Sequence, residues 1–135
     1  MNTTEKKMLE ILKAARDYGV IAVKAEFEAE GTRSDEFLRL LEIARRADLK
    51  VALKIGGCEA IRDLIEARNF GVDYISAPMI ETPYALTKFI EAKNKVHGAV
   101  RERTEFLYNL ETETTLQNMD AMLPIAREAG IGIVF

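Results

Sequence analysis

An α/β protein built on part of a (β/α) TIM barrel, with about five parallel strands, is predicted by three observations. Five short apolar runs alternate with amphipathic stretches, the pattern of parallel strands joined by helical crossovers. A strand-carboxylate-cap unit occurs twice, as Ile80-Glu81-Thr82 and as Leu110-Glu111-Thr112, each time ahead of a helix. Barrels carry their functional residues on the loops that follow strands. The last residues, Ile131-Gly132-Ile133-Val134-Phe135, read as one more buried strand, and an uncovered apolar edge is a poor place for a small domain to finish. A complete five-stranded doubly wound sheet also fits the alternation. The final strand favours a barrel, normally about 250 residues, whose C-terminal strands are absent. Residues 1–135 are expected to form one domain.

The elements follow from local pattern. Residues 4–17 read as a helix with Met8, Ile11, Leu12 and Ala15 as its apolar stripe, ended by Gly19. Val20 to Val23 form a strand that leaves through Lys24, Glu26 and Glu28. Those three share one face if the extension continues. Gly31 to Asp35 is a turn with Thr32 or Ser34 as N-cap, and a helix follows to Ala47 with Phe37, Leu40, Leu41 and Ala44 inside. Val51 to Ile55 is the next strand, with Lys54 near its end. Gly56-Gly57 then makes a turn or lets the backbone approach a ligand closely, without the spacing of a dinucleotide or Walker fingerprint. Glu59 to Asn69 is a helix with Ile61, Leu64 and Ile65 apolar, closed by Gly71.

Tyr74 to Ile80 is a strand, and Thr82 before Pro83 is a strong helix start. The helix runs from Tyr84 to Lys95. Residues 97–103 are expected to be a polar loop carrying His97 on the surface. A strand at 105–110 places Asn109 and Glu111 on one face. A helix at 113–129 has Leu116, Met119, Met122, Leu123 and Ala126 inside, with Pro124 placed to kink or divide it.

Composition excludes several classes. The chain has 135 residues, 48% hydrophobic and 30% charged, ordinary for a soluble domain. A net charge of −3 gives no basic footprint, so a nucleic-acid partner is not expected. One cysteine, Cys58, cannot form an internal disulfide, and paired with the only histidine, His97, it makes a weak case for a thiol nucleophile. With no long apolar run and no leader pattern, a cytoplasmic protein without a membrane partner is expected.

The residues that suggest chemistry lie at strand ends. A carboxylate at the end of a buried strand, just before a helix, is where α/β proteins place function, which makes Glu111 a candidate ligand for a divalent metal. A solvated Glu beside a helix start fits the same pattern. Glu26, Glu28 and Glu81 would share the rim, with Lys24 and Lys54 as positive partners. Four carboxylates converging on two lysines would repel one another without a cation. The alternative is that the lysines satisfy the glutamates structurally. Asn109 is placed to hold a ligand or water, or simply to pack.

From Gly19 to Phe135 the sequence resembles the HpcH/HpaI aldolase and citrate lyase beta family of the phosphoenolpyruvate/pyruvate barrels. The resemblance rests on Val51-Ala-Leu-Lys-Ile-Gly-Gly57, Gly71-Val-Asp-Tyr-Ile-Ser-Ala-Pro-Met-Ile-Glu-Thr82, Asn109-Leu-Glu-Thr-Glu-Thr-Thr-Leu-Gln-Asn-Met-Asp120 and Gly130-Ile-Gly-Ile-Val-Phe135. It implies a metal-dependent carbon–carbon lyase that takes a 2-oxo acid, such as pyruvate or oxaloacetate, or a related acyl-CoA through a metal-stabilised enolate. Glu111 then binds Mg²⁺ or Mn²⁺. Lys54, Glu26 and Glu28 are the catalytic candidates. Lys54, Gly56, Gly57, Glu81 and Asn109 are the substrate-binding ones.

The same resemblance puts a second metal carboxylate in a Gly-x-x-Asp segment past Phe135, so half of a metal site is expected here and the chain alone is expected to be inactive. Two departures stand out. The family often has Arg where this strand has Lys54, and a planar fork differs from a point charge. Aldolase members carry a His after an acidic pair like Glu26 and Glu28, where this chain has Ala29. A homo-oligomer is expected. The rival reading is a non-catalytic half-barrel that binds a partner or self-associates to cover its edges.

Overall fold

The structure is a computed structural model that describes residues 1–98 and 103–135. The chain begins with helix α1 (Thr3–Arg16), then alternates: β1 (Ala22–Glu26), α2 (Ser34–Arg46), β2 (Lys50–Lys54), α3 (Ile61–Phe70), β3 (Tyr74–Ala77), α4 (Pro83–His97), β4 (Glu105–Asn109), α5 (Glu113–Gln117), α6 (Met119–Ala129) and β5 (Gly132–Val134). All four strand pairings are parallel, in the order β1-β2-β3-β4-β5. That order separates the two architectures. A doubly wound sheet reverses its strand order at a switch point and takes helices on both faces. Here the order never reverses, so right-handed crossovers lay every connecting helix on the same face. One open sheet wound in a single sense is part of a barrel.

The two faces differ as this winding requires. Val51, Leu53, Ile75, Ala77, Phe106 and Tyr108 point under the helices and are buried. They pack with Phe37, Leu41, Leu64, Leu86, Phe89, Met122 and Ala126 from the helices, which makes the core a layer between sheet and helices. The alternate positions, Lys24, Ala52, Lys54, Tyr74, Ser76, Leu107, Asn109 and Val134, line a hollow of about 210 Å³ on the other face. Period-two alternation thus sorts the strands into a buried apolar side and a side where lysines and polar groups mix with apolar residues.

Several local expectations need correction. β1 starts at Ala22 and runs through Glu26, so Lys24 and Glu26 belong to the strand itself, while Val20 and Ile21 are exposed. In α1, Ile11 is 58% exposed and Met8 is also exposed; Leu9 and Leu12 carry the packing. The cap of α2 is neither Thr32 nor Ser34 but Arg33, whose backbone N–H donates to Glu36 Oε2 at 3.1 Å. Ile65, Leu116 and Leu123 face solvent, and Ala67 and Thr115 take the buried places nearby.

The long helix after β4 is divided, but at Asn118 and not at Pro124. Asn118 turns its side-chain amide to the Glu81 and Thr114 carbonyls, both at 3.0 Å, and starts α6 anew. Pro124 lies within α6, which continues past it to Ala129 although an interior proline removes a ladder bond and crowds the carbonyl one turn back.

His97 is the clearest reversal. It ends α4, is 4% exposed, sets Nε2 3.2 Å from the Leu64 carbonyl, and stacks edge-on against Phe106 at 4.9 Å between ring centres. The loop expected from 97 to 103 has residues 99–102 outside the described residues.

Candidate functional site

Charged and polar side chains gather where β1 to β4 end. The register sets Glu26 beside Lys54, and Lys54 beside Ser76. Because parallel strands in register place equivalent positions side by side, these residues share a row on the uncovered face. Lys24 Nζ lies 2.9 Å from Glu26 Oε1, and Lys54 Nζ lies 3.6 Å from Glu26 Oε2. Lys54 also reaches to 4.0 Å from Glu111 Oε1. The Lys24 hydrogen bond holds the Glu26 carboxyl below the usual carboxylate range. Burial works against this shift, and the charges of Lys24 and Lys54 add to it.

Glu111 sits just past β4 and is held by two neighbours. Asn109 Nδ2 donates to Oε1 at 2.6 Å, and the Met79 backbone N–H donates to Oε2 at 3.3 Å. Met79 has φ +57°, a left-handed conformation that side chains other than glycine rarely take. Such conformations persist where the surrounding structure over-determines them. Behind Asn109, the Ser76 hydroxyl donates to Asn109 Oδ1. The result is one continuous polar chain, Lys24–Glu26–Lys54–Glu111–Asn109–Ser76, across four strand ends.

Not every predicted residue joins it. Glu28 lies beyond the end of β1 and stands beside Gly56 and Asp63. A Cβ on Gly56 would come within 3.3 Å of Asp63 Oδ2, so that carboxylate would have to give a few tenths of an ångström, and would meet Glu28 Cβ at 3.5 Å, an ordinary contact. The Gly56 N–H is already given to Asp63 Oδ2 at 2.7 Å. Gly57 has open space around it. Glu81 follows β3, and its backbone carbonyl ties to Asn118.

The expected convergence of four carboxylates is therefore not what the structure has. Two of them, Glu26 and Glu111, meet through Lys54. Among the described residues, no three His, Cys, Asp or Glu side chains gather in a way that could hold a metal ion. A hard cation such as Mg²⁺ asks less of a protein, since it keeps several waters beside one or two carboxylates. Glu111 fits that role: an ionised carboxylate has about four lone-pair sites, and two N–H donors occupy two of them.

Sequence pattern missed Ser76, the Met79 amide and Asp63. Ser76 was readable only as one small residue in an apolar run. Nothing in a methionine announces a left-handed backbone. Cys58 lies after β2, at the strand-end side, whereas His97 lies at the far end of α4, so the fold sets the two at opposite ends of the sheet.

A row of charges at the C-terminal ends of parallel strands, on a sheet wound one way, defines the class as a (β/α) barrel sheet of the kind that carries its site on the loops after strands. No family model matches the chain, and no curated protein matches it. Solved structures do. Citrate synthase SbnG superposes with a TM-score of 0.62 at 14% identity, over 84% of this chain and 51% of its own. An HpcH/HpaI aldolase/citrate lyase family protein from Burkholderia cenocepacia J2315 gives 0.63 at 11% identity, over 93% of this chain and 74% of its own. The chain thus spans about half the length of the citrate synthase. At such identities the likeness establishes the fold alone, a partial α/β barrel. No helix among the described residues is long and apolar enough to cross a membrane.

Proposed function

We propose that this chain carries part of the active site of a carbon–carbon lyase of the HpcH/HpaI aldolase and citrate lyase type, acting on a 2-oxo acid or a related acyl-CoA. The observation that supports it most is the Glu111 carboxylate, clamped by Asn109 and the Met79 amide and turned toward Lys54. In this reading Glu111 is one ligand of Mg²⁺ or Mn²⁺. When bound, the ion would supply Lewis-acid charge at the substrate's keto oxygen.

The chain's own residues do the rest. Cleavage sends the electron pair of the broken bond into an enolate, negative charge grows on the keto oxygen, and the hydroxyl proton of the other fragment passes to water as its carbonyl forms. Lys54 is a fixed cation beside that position, 20% exposed along its side chain, and a fixed charge in a partly dry site stabilises charge that develops there. Glu26 anchors Lys54 from the other side. Held in its ionised form by two lysines, Glu26 is a poor proton acceptor, so it orients Lys54 and does not serve as the base. Asn109 keeps Glu111 aimed, and Lys24 balances Glu26.

Titrating Mn²⁺ into the full-length protein and into its Glu111→Gln variant, followed by calorimetry, tests this. Affinity is expected to fall at least tenfold. Equal affinities would remove Glu111 from the site. A second reading, a non-catalytic unit that self-associates through the uncovered face, is favoured by the apolar Ala52, Leu107 and Val134 on that face.

A further inference from the structure

We propose that Ser76 is a positioning residue that anchors the Asn109 amide at its Oδ1 end and, through it, steadies the aim of the Glu111 carboxylate. Ser76 lies in the middle of β3, 7% exposed, between Ile75 and Ala77. A hydroxyl this deep in a strand must find a partner, and its partner is Asn109 Oδ1 on the next strand. The direction of each bond follows from what each group can do. An ionised carboxylate only accepts, so Asn109 must turn Nδ2 to Glu111 and Oδ1 away from it. Oδ1 only accepts, so the hydroxyl that faces it must donate. The Glu111 carboxylate thus sets which way the amide lies, and the Ser76 hydroxyl holds it at its other end.

The selected way hands Glu111 Oε1 a donor, while Met79 hands one to Oε2. Both oxygens are then fixed from two separate segments, the β3–α4 loop and the end of β4. Without the hydroxyl, Asn109 Oδ1 loses its donor and the amide is held only through Nδ2. The side chain then moves more freely, and its 2.6 Å bond to Glu111 opens more often. Outer partners of this kind commonly change metal affinity by about 10–100-fold when removed.

The metal consequence rests on the reading of Glu111 given above; the amide orientation does not. The test follows two signals in the protein: hydrogen exchange of the Asn109 side-chain amide by ¹⁵N NMR, and calorimetric titration with Mn²⁺ alone. Ser76→Ala is expected to speed amide exchange at least tenfold and to weaken Mn²⁺ about tenfold. Ser76→Thr keeps the hydroxyl and suits a strand, so both signals should return to within twofold of the parent. A purely structural role would not be rescued in this way. If Ser76→Ala does not fold, Ser76→Cys, with a weak donor of similar size, is expected to give an intermediate exchange rate. Unchanged Asn109 exchange in Ser76→Ala, or in Ser76→Cys, overturns the proposal. If Glu111→Gln leaves Mn²⁺ affinity intact, the metal reading fails, and the exchange rates alone decide the role of Ser76.

Discussion

Glu26 meets a different lysine on each carboxylate oxygen, and this has a pH signature. Its folded-state pKa is lowered, chiefly by the Lys24 hydrogen bond. A carboxyl lowered on folding adds stability above its unfolded value, about 4.3, and loses it as pH falls through the folded value. Urea denaturation of the parent and of Glu26→Gln across pH 3–7 should therefore show a gap, of order 1 kcal/mol or less, that is constant above about pH 5 and closes on acidification. A gap that widens toward acid would contradict the pairing. At this scale the sequence was half legible. Alternation put Lys24 and Glu26 on one face, and the strand end exposed Glu111. What it could not supply was distance, so Glu28 looked equivalent to Glu26 although the chain has already left the strand and carries it to Gly56. Ser76 stayed hidden because a small residue amid Ile75 and Ala77 has no pattern of its own.

Helix α4 illustrates what an element's start and end reveal. Its start was plain, since Thr82 accepts from the Ala85 N–H at 3.2 Å and Pro83 needs no partner in the first turn. Thr82→Ala should lower stability by about 1 kcal/mol in a denaturant titration. It should leave α5, capped separately by Thr112, untouched. The end of α4 was misplaced by two residues, and that moved His97 from the surface into the core. Val96 and His97 carry no breaker and Gly98 caps the helix, so the signal for the true end was present and was passed over. The break at Asn118 was missed for a related reason. Proline draws attention as a breaker, yet an asparagine with two carbonyls in reach interrupts the helix more effectively.

The whole molecule is a one-sided layer: helices and core on one face, a charged and partly apolar floor on the other. The alternation of strands and helices sufficed to read this class, because sequential order and crossover handedness leave few alternatives. An uncovered parallel sheet is uncommon, as such sheets are normally buried on both faces. Sedimentation equilibrium of the 135-residue chain is accordingly expected to give a concentration-dependent mass above 15.2 kDa. A mass fixed at that value across the micromolar range would count against self-association.

Position 79 shows how loosely a residue's identity can be tied to its usefulness. The bond to Glu111 comes from the main chain, and the methionine side chain is 62% exposed. Nineteen of the twenty amino acids have that amide and proline alone has none, but the φ of +57° favours glycine, asparagine and aspartate among them. Substitution here should therefore be limited by backbone shape and not by the side chain's chemistry: glycine or asparagine keeps the grip on the carboxylate opposite, and a β-branched residue or proline loosens it.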